Sequence, residues 1–343
     1  MTLMLKEIQE EPASLYACEK NNYETLKALA AEMKRREIDN VILSARGSSD
    51  NAGNYFKYLF EVTCGIPVGF AAPAVTTGYG GTVRMGKRTM VLGVSQSGKA
   101  ADVLEVIHSA NSQGALTVSI TNNTESPLAK EAQVHLFCST GEEKSVAATK
   151  TFTSQMYLLA RIADELSGGQ VPALDRVPAL IDETIRAARR VLEAEAQRVK
   201  DMDDCYVLSR GIMYAAAQES ALKIQETTYT HARAYAVSDF YHGPFAVVDS
   251  DTHVILLAAA GKAQKDNLDM LGRLEGAGAD VTLLSSDPAV AGGTTRITIP
   301  ESEESIAPFA FVTAAQLFAL SLSLSRGLNP DAPRGLKKVT VTK

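Results

Sequence analysis

Cysteine and histidine are scarce in this chain. Its 343 residues include four cysteines and five histidines. The cysteines form no Cys-X-X-Cys pair and the histidines form no His-X-His or His-X-X-X-His pair, so the common sequence patterns of metal sites are missing. We therefore expect a cytoplasmic protein with reduced, mostly structural thiols, no bound metal and no cofactor. The residues concerned are Cys18, Cys64, Cys138 and Cys205, and His108, His135, His231, His242 and His253.

Clusters of positive charge and long apolar runs are also missing. The formal net charge is −6 and the isoelectric point is about 5.5, which argues against nucleic acid or an anionic membrane as a partner. The longest apolar runs, such as Val254–Ala260, are too short to cross a bilayer. The first residues are acidic and helical in pattern, and they lack the charged start and apolar centre of a signal peptide.

What the chain does contain is a repeated alternation of short apolar strands and helices. A length of 343 residues favours two domains, and the alternation predicts two open parallel sheets with helices on both faces, a doubly wound α/β fold. We divide the chain into an N-terminal helical arm (1–34), a first domain (35–170), a helical connector (171–196) and a second domain (197–343). The predicted strands are 41–44, 67–71, 89–94, 117–121, 134–138, 205–209, 253–258 and 280–284, and the predicted helices are 50–61, 99–112, 151–166, 182–199, 214–229, 262–275 and 307–324.

The run Ser95-Gln96-Ser97-Gly98 lies where a predicted strand turns into a helix. Backbone N–H groups at a helix start lack partners within the helix and carry partial positive charge, so such a turn can hold a phosphate without arginine. Gly98 would let the ligand approach the backbone closely. The alternative is a serine-rich turn that binds nothing.

A second turn of similar character follows the first predicted strand. Ser48 and Ser49 could donate hydrogen bonds to a phosphate or a sugar hydroxyl, directly after Gly47. For Asp50, ligand binding and a plain helix N-cap remain equally open. We favour ligand binding for Ser49.

The two halves of the chain resemble each other around these turns. Val41–Gly47 matches Tyr206–Gly211, and Thr89–Lys99 matches Thr252–Lys262. The second copy keeps its strand and the Gly-Lys pair, but has three alanines (258–260) in place of the hydroxyl and amide side chains. We infer a duplicated fold in which only the first copy holds a phosphate, at the carboxyl ends of its strands.

The predicted helix 214–229 carries an unusual charge pattern. Glu219, Lys223 and Glu226 occupy positions i, i+4 and i+7 on a helix that is otherwise mostly small and apolar. They therefore form one narrow stripe, which is typical of an internal polar site rather than of an exposed face. The alternative is a surface pair contributing about 0.3–0.5 kcal/mol. We assign Glu226 as the group that moves a proton, because a carboxylate against an apolar wall can have a raised pKa.

Two further candidates lie near the second half's loops and end. His242, fixed by Gly243 and Pro244, suits acid–base chemistry, whereas a loop histidine without a role is the alternative. His231 is interpreted as a packing or helix-end residue. Of Lys337 and Lys338, one could be a nucleophile toward a carbonyl, although on spacing alone a basic tail is the favoured interpretation.

Taken together, these motifs resemble the double-domain sugar isomerase (SIS) family of phosphosugar proteins, and most of all the isomerase half of the glutamine–fructose-6-phosphate amidotransferases. The resemblance runs from Met4 to the C-terminus and implies two tandem SIS domains, each a mostly parallel five-stranded sheet flanked by helices. The motifs that carry it are Gly47-Ser48-Ser49, Ser95-Gln96-Ser97-Gly98, Val146-Ala147-Ala148-Thr149-Lys150, Glu219 to Lys223, His242-Gly243-Pro244 and Leu336-Lys337-Lys338.

The resemblance also implies a role for each matching position. The phosphate and sugar would be held by Ser48, Ser49, Ser95, Gln96 and Ser97, while Val146 and Ala147 would line the sugar site with backbone groups. Glu226 would move a proton between C1 and C2, supported by Glu219 and Lys223. Lys338, chosen by its spacing from Leu336, would meet the open-chain carbonyl. His242 would open the ring and would come from a neighbouring subunit, which implies a homodimer.

The chain departs from the amidotransferase pattern in three ways. Thr2 follows Met1, and the isomerase-like part begins without a glutaminase domain. Ala100 and Ala148 each lack a hydroxyl that the family carries, and Arg46 replaces a small residue and could contact a phosphate or carboxylate. We expect an isomerase domain without a glutaminase domain to use or release free ammonia.

The favoured hypothesis is therefore a deaminase that converts glucosamine 6-phosphate to fructose 6-phosphate and ammonia. The same machinery would serve a simple aldose–ketose phosphosugar isomerase, an isomerizing transaminase, a deglycase or a galactosamine-6-phosphate enzyme, and the sequence does not rank these. A non-catalytic sugar-phosphate sensor is the alternative of another class. The joint presence of Glu226, His242 and Lys338 favours an enzyme.

Overall fold

The computed structural model describes residues 1–338, and its compact units are interleaved along the chain. The β1–β5 unit consists of Ala13–Glu143, Lys150–Leu174 and the described residues Lys337 and Lys338. The β6–β10 unit consists of Met1–Pro12, Lys144–Thr149 and Asp175–Leu336. The four contiguous segments expected from the sequence stay a prediction, and residues 339–343 of the last one lie outside the described residues.

Each unit contains one sheet of five parallel strands within the described part of the chain. The strand orders are β2-β1-β3-β4-β5 and β10-β9-β8-β6-β7, and all paired strands run parallel. This confirms the doubly wound α/β class. The strands are β1 Asn40–Ser44, β2 Val68–Phe70, β3 Thr89–Val94, β4 Leu116–Thr121, β5 Val134–Phe137, β6 Asp204–Ser209, β7 His231–Ala236, β8 His253–Ala258, β9 Asp280–Ser285 and β10 Thr295–Thr298.

Helices connect these strands, and several begin within two residues of their predicted starts. The central strands β3, β4 and β8 are buried along their whole length, as expected for parallel strands covered on both faces. The helices are α1 Leu3–Gln9, α2 Glu11–Arg35, α3 Ser48–Cys64, α4 Ala74–Thr77, α5 Ala101–Ser112, α6 Pro127–Glu131, α7 Lys150–Ser167, α8 Val177–Arg198, α9 Tyr214–Thr228, α10 Val237–Phe240, α11 Gln264–Gly276 and α12 Ala307–Ser325.

The sheet orders place a topological switch point in each unit. In the first sheet β1 and β3 are neighbours, and the chain leaves β1 toward one edge and β3 toward the other. In the second sheet β6 and β8 have the same relationship. Ligands of such sheets bind at the carboxyl ends of the two strands that flank this point, which is where the two serine-containing turns lie in the first sheet.

Helix α12 lies where the sequence predicts a helix, ends one residue beyond the predicted end, and is apolar along its length. Within residues 1–338, it is the one helix that is long and apolar enough to cross a membrane, and 89% of its apolar window is buried inside the structure. It packs against α8 and α9 in the β6–β10 unit. This burial is that of a core helix, and its interspersed serine, threonine and glutamine residues explain why no single apolar run stood out.

Strands β7 and β10 were not predicted. Strand β7 has the sequence HARAYA, in which alanine and arginine have low strand propensity, and both strands lie at sheet edges. His231 is the exposed first residue of β7 and lies three positions after the last residue of α9, so its interpretation as a packing or helix-end residue is wrong.

Candidate active site

The turn after β1 places two serines at the start of a helix. Gly47, with φ of +57°, stands at the N-cap position of α3, so Ser48 and Ser49 are the first two helical residues. Asp50 lies inside the first turn, and the interpretation of Asp50 as the N-cap is therefore wrong. Burial raises the pKa of Asp50, and the Arg46 guanidinium opposes that rise only in part.

The turn after β3 is held by its own serines. Ser95 Oγ accepts a hydrogen bond from the Gly98 N–H at 3.2 Å, and Ser97 Oγ accepts one from the Lys99 N–H at 3.3 Å. Both bonds use the oxygens as acceptors, so each hydroxyl hydrogen can be donated to a ligand. The backbone carbonyl of Gln96 accepts from the Asn122 N–H at 3.0 Å, which ties the turn to the end of β4.

Gly98 has a different role from the expected one. Its φ is +63°, and a Cβ atom built there would lie 2.1 Å from Ser126 Oγ. The missing side chain would therefore point at the protein and not at a ligand. Gly98 is required for the conformation and packing of the turn, and the helix behind it begins at Ala101 rather than at Lys99.

Arg46 forms an ion pair at the same switch point. Its Nη2 lies 2.7 Å from Asp102 Oδ2, and Asp102 belongs to the first turn of α5. The Asp102 side chain is almost fully buried, whereas that of Arg46 is 49% exposed. The guanidinium thus presents charge beside the Ser95–Gly98 turn while one of its edges is fixed by a buried carboxylate.

The second unit repeats this arrangement without the hydroxyl groups. Arg210 Nε lies 3.0 Å from Asp266 Oδ2 in the first turn of α11, and Gly211 has φ of +66°. The place of an anion is taken by Glu304, whose carboxylate accepts from the Lys262 N–H at 2.8 Å and from the Ala263 N–H at 3.2 Å. An internal carboxylate therefore satisfies the backbone donors that a phosphate would need.

The charged stripe predicted on α9 is buried. Lys223 Nζ lies 3.4 Å from Glu219 Oε1 and also contacts Glu226 Oε2. The side chains of Glu219 and Lys223 are fully buried, and that of Glu226 is 22% exposed. The alternative of a surface pair is therefore wrong, and Glu226 is the member of the group that solvent or a ligand can reach.

The electrostatics of this group favour a charged lysine. Burial alone would lower the pKa of the Lys223 ammonium, but the carboxylates of Glu219 and Glu226 outweigh that effect and raise the pKa above its ordinary value. A charged lysine in contact with Glu226 fixes the orientation of this carboxylate.

Lys338 is also paired with a carboxylate, in the β1–β5 unit. Its Nζ lies 2.5 Å from Glu143 Oε2, whose side chain is fully buried, while Lys337 is exposed. Burial acts to raise the pKa of Glu143, but Lys338 and Thr151 outweigh it and hold the pKa below its ordinary value.

The remaining candidates stand apart from these contacts. His242 is exposed on the turn after α10, where its backbone N–H donates to the Asp239 carbonyl at 3.0 Å. Ala147 is buried, and the Val146 N–H donates to the Asp331 carbonyl at 3.3 Å. Within residues 1–338 no three histidine, cysteine, aspartate or glutamate residues are grouped to hold a metal.

Sequence reasoning missed Asp102, Glu143 and Glu304. Asp102 could have been found, because an aspartate in a first helical turn also occurs in the second copy at Asp266. The other two offered no local signal, since each acts on residues at least 40 positions away, namely Lys338 and the Lys262–Ala263 backbone.

The chain is similar in sequence and in fold to known proteins. The model of the SIS domain matches residues 36–163 and 200–326. A glutamine–fructose-6-phosphate aminotransferase (isomerizing) from Aquifex aeolicus is 33% identical over 99% of this chain and 57% of its own length. The chain thus spans a little over half the length of the curated relatives it matches.

Solved structures agree with this match. A structure from Silicibacter pomeroyi, described as a phosphosugar isomerase, has 27% identity and a TM-score of 0.88 over 96% of this chain and 100% of its own. Glucosamine-6-phosphate deaminase from Thermotoga maritima has 25% identity and a TM-score of 0.79 over 99% of this chain and 100% of its own. The resemblance stated from the motifs is confirmed, and the chain belongs to the SIS family, with two SIS domains.

Proposed function

We propose that this protein is a glucosamine-6-phosphate deaminase that forms fructose 6-phosphate and ammonia. The observation that carries the proposal is the buried group on α9, in which a charged lysine contacts the one partly exposed carboxylate, Glu226. Reversible proton transfer between neighbouring carbons needs a carboxylate of fixed orientation that substrate can reach. A deaminase of the same fold, from Thermotoga maritima, supports the choice of substrate.

The proposed reaction starts with binding and ring opening. The phosphate accepts hydrogen bonds from the Ser95 and Ser97 hydroxyls and from Ser48 and Ser49 at the start of α3. His242 transfers the proton that opens the sugar ring. Because His242 is exposed in the single chain, we propose that it serves the site of a second copy, so that the active form is a homodimer.

Proton transfer then moves the unsaturation from C1 to C2. Glu226 takes the proton from C2 of the open-chain amino aldehyde, and the enolamine that forms receives a proton at C1, giving a ketose imine. Water adds to C2 of the imine, and ammonia leaves with the C2–N bond broken. Lys338 holds the C1 oxygen during these steps. The four free cysteines, three of them buried, support the proposal of a cytoplasmic location.

The test is ammonia release from glucosamine 6-phosphate by the purified chain. We expect turnover by the native protein and a loss of at least about a hundredfold in kcat for Glu226→Gln, in line with the general acid–base contribution. Absence of ammonia at every pH near neutrality would overturn the assignment. Phosphosugar binding that persists while Glu226→Gln changes no turnover would instead support a sensor.

Isomerizing amino transfer is the second candidate, favoured by the 33% identity to the aminotransferase from Aquifex aeolicus. It would run the same proton transfer in reverse, from fructose 6-phosphate and ammonia to glucosamine 6-phosphate. Incubation of fructose 6-phosphate with ammonium salt, followed by detection of the amino sugar, measures this direction. Formation of glucosamine 6-phosphate at a rate well above its deamination would favour this second candidate.

A further inference from the structure

Glu143 is a buried carboxylate that accepts hydrogen bonds from Thr151 and Lys338 and has no role so far. Its Oε1 accepts from the Thr151 N–H at 3.0 Å, and its Oε2 accepts from the Thr151 hydroxyl at 2.6 Å and from Lys338 Nζ at 2.5 Å. Its side chain is completely excluded from solvent. A carboxylate in this position is stable only with its full set of donors, because a buried charge without partners is costly.

The site that holds Glu143 is built by the first turn of α7. Thr151 is the second residue of this helix, so Glu143 lies where unpaired backbone N–H groups and the helix dipole favour negative charge. Thr151 itself is fully buried. The carboxylate is therefore fixed by the fold independently of Lys338, and Lys338 is the partner that the chain end brings to it.

The partner of Glu143 is selected from two adjacent lysines. Lys337 is exposed, whereas the side chain of Lys338 is 22% exposed and lies against the buried carboxylate. A flexible lysine side chain gains position only where a strong, charge-assisted hydrogen bond restricts it. Glu143 thus decides which of the two amines is held in the β1–β5 unit, the unit that carries the serine turns.

We propose that Glu143 is a positioning residue for the reaction, which acts by seating the Lys338 amine next to the start of α7. The proposal rests on the proposed function for the activity of Lys338. Glu143 itself contacts no substrate in this account. Its loss releases Lys338 and lowers turnover through the lysine alone.

We call the restraint of the Lys338 amine by Glu143 the seat. Selective labelling tests the seat without a measurement of enzyme activity. Brief treatment of the native chain with acetic anhydride, followed by peptide mass spectrometry, compares acetylation of Lys338 with that of Lys337 as an internal reference. We expect Lys338 to react about tenfold more slowly than Lys337, as a charge-assisted bond to a buried partner implies. In Glu143→Gln the two rates should come within about twofold of each other, since the ionic bond is gone.

Two more variants make this result interpretable. Glu142→Gln changes the exposed neighbouring carboxylate and should leave the labelling ratio unchanged. Thr151→Val removes the hydroxyl that holds Glu143 and should raise the Lys338 rate by a smaller factor, so the proposal stays testable if Glu143→Gln folds poorly. Equal labelling of Lys337 and Lys338 in the native chain would overturn the seat.

A double-mutant cycle then tests the link to turnover. We expect Glu143→Gln to lower kcat for glucosamine 6-phosphate about tenfold or more with little change in KM, and Glu142→Gln to have no effect. In a Lys338→Met background, Glu143→Gln should cause no further loss, because a positioning residue acts only through the group it positions. Additive losses would overturn the positioning role.

The two readouts separate failure of this inference from failure of the proposed function. If the native chain deaminates no glucosamine 6-phosphate but protects Lys338 in a Glu143-dependent way, the deaminase proposal fails and the seat stands. If turnover is present and Lys338 labels as fast as Lys337, the deaminase proposal stands and the seat fails.

Discussion

Lys223 and Glu219 face each other at 3.4 Å on α9, and both side chains are completely buried. Replacing Lys223 by methionine would remove this positive charge from beside the fully buried Glu219 carboxylate. We expect a loss of about 3–5 kcal/mol in the free energy of unfolding, the range for breaking a buried ion pair from one side. Urea denaturation followed by circular dichroism measures this loss.

A matched control lies on α11 of the same unit. Lys265 and Asp269 form another i,i+4 pair, with the lysine side chain 81% exposed. Lys265→Met should cost less than about 1 kcal/mol, because exposed pairs contribute little. Similar losses for the two variants would contradict the buried character of the α9 group.

The pH dependence of the free energy of unfolding should also reveal the contribution of charged Lys223. The folded state raises the pKa of Lys223 above its unfolded value, so its contribution is complete below the ordinary lysine pKa and is lost as pH rises through the folded value. We therefore expect the stability difference between native protein and Lys223→Met to be constant near neutrality and to shrink above about pH 10.4. Urea midpoints at a series of alkaline pH values check this, and a difference that grows with pH would contradict it.

Gly98 should tolerate no side chain, for two separable reasons. Gly98→Ala introduces a residue with positive φ and places its Cβ against Ser126. Gly114 also has positive φ, +80°, but a Cβ there would meet only Lys87 Cγ at 3.8 Å. We expect Gly114→Ala to cost about 1–2 kcal/mol for backbone strain alone, and Gly98→Ala to cost about 1–3 kcal/mol more for the overlap.

The serine turn would be displaced along with Gly98. Gly98→Ala should therefore also raise KM for glucosamine 6-phosphate, whereas Gly114→Ala should leave KM unchanged. Thermal unfolding and steady-state kinetics on the two variants test both effects, and equal stability losses would contradict the packing role of Gly98.

Glu304 should stabilise the start of α11. Its carboxylate accepts the Lys262 and Ala263 N–H groups, an interaction equivalent to a helix cap with a favourable dipole term. Glu304→Ala should cost about 0.5–2 kcal/mol, and Glu301→Ala, at an exposed position in the same segment, should cost almost nothing. Chemical denaturation measures both, and a neutral Glu304→Ala would contradict the internal-anion interpretation.

Arg46 and Arg210 offer a comparison between the two copies. Each pairs with an aspartate in a first helical turn, but only Arg46 lies beside the serine turn of the first sheet. If Arg46 also contacts the phosphate, Arg46→Ala should raise KM for glucosamine 6-phosphate about tenfold or more, the effect of losing one charge-assisted hydrogen bond. Arg210→Ala should leave KM unchanged, and parallel effects of the two variants would contradict a phosphate contact.

The sequence by itself determined the architecture and the local chemistry. Short apolar runs predict the buried parallel strands, and the helical spacing of three charged residues predicts the stripe on α9. Both patterns can be read locally, because the repeat of a strand or a helix is a property of the backbone. The duplication was also readable, since two strand–turn–helix segments with the same Arg-Gly and Gly-Lys pairs occur in order. Edge strands β7 and β10 were missed because both lie half-exposed at sheet edges. In addition, β7 is rich in alanine, which has low strand propensity, and β10 has only four residues.

Tertiary structure alone decided which distant charged and polar groups bind one another. Glu143 meets Lys338 at a separation of 195 positions, and Asp331 accepts the Leu3 and Met4 N–H groups at 328 and 327 positions. Glu304 binds the backbone donors of the turn after β8. From the sequence, this turn differed from its counterpart in the first sheet only by the loss of its hydroxyl and amide side chains. Periodicity reports whether a side chain is buried, but a buried charge takes its partner from whichever element the fold packs against it, and that choice is made only when distant parts of the chain come together.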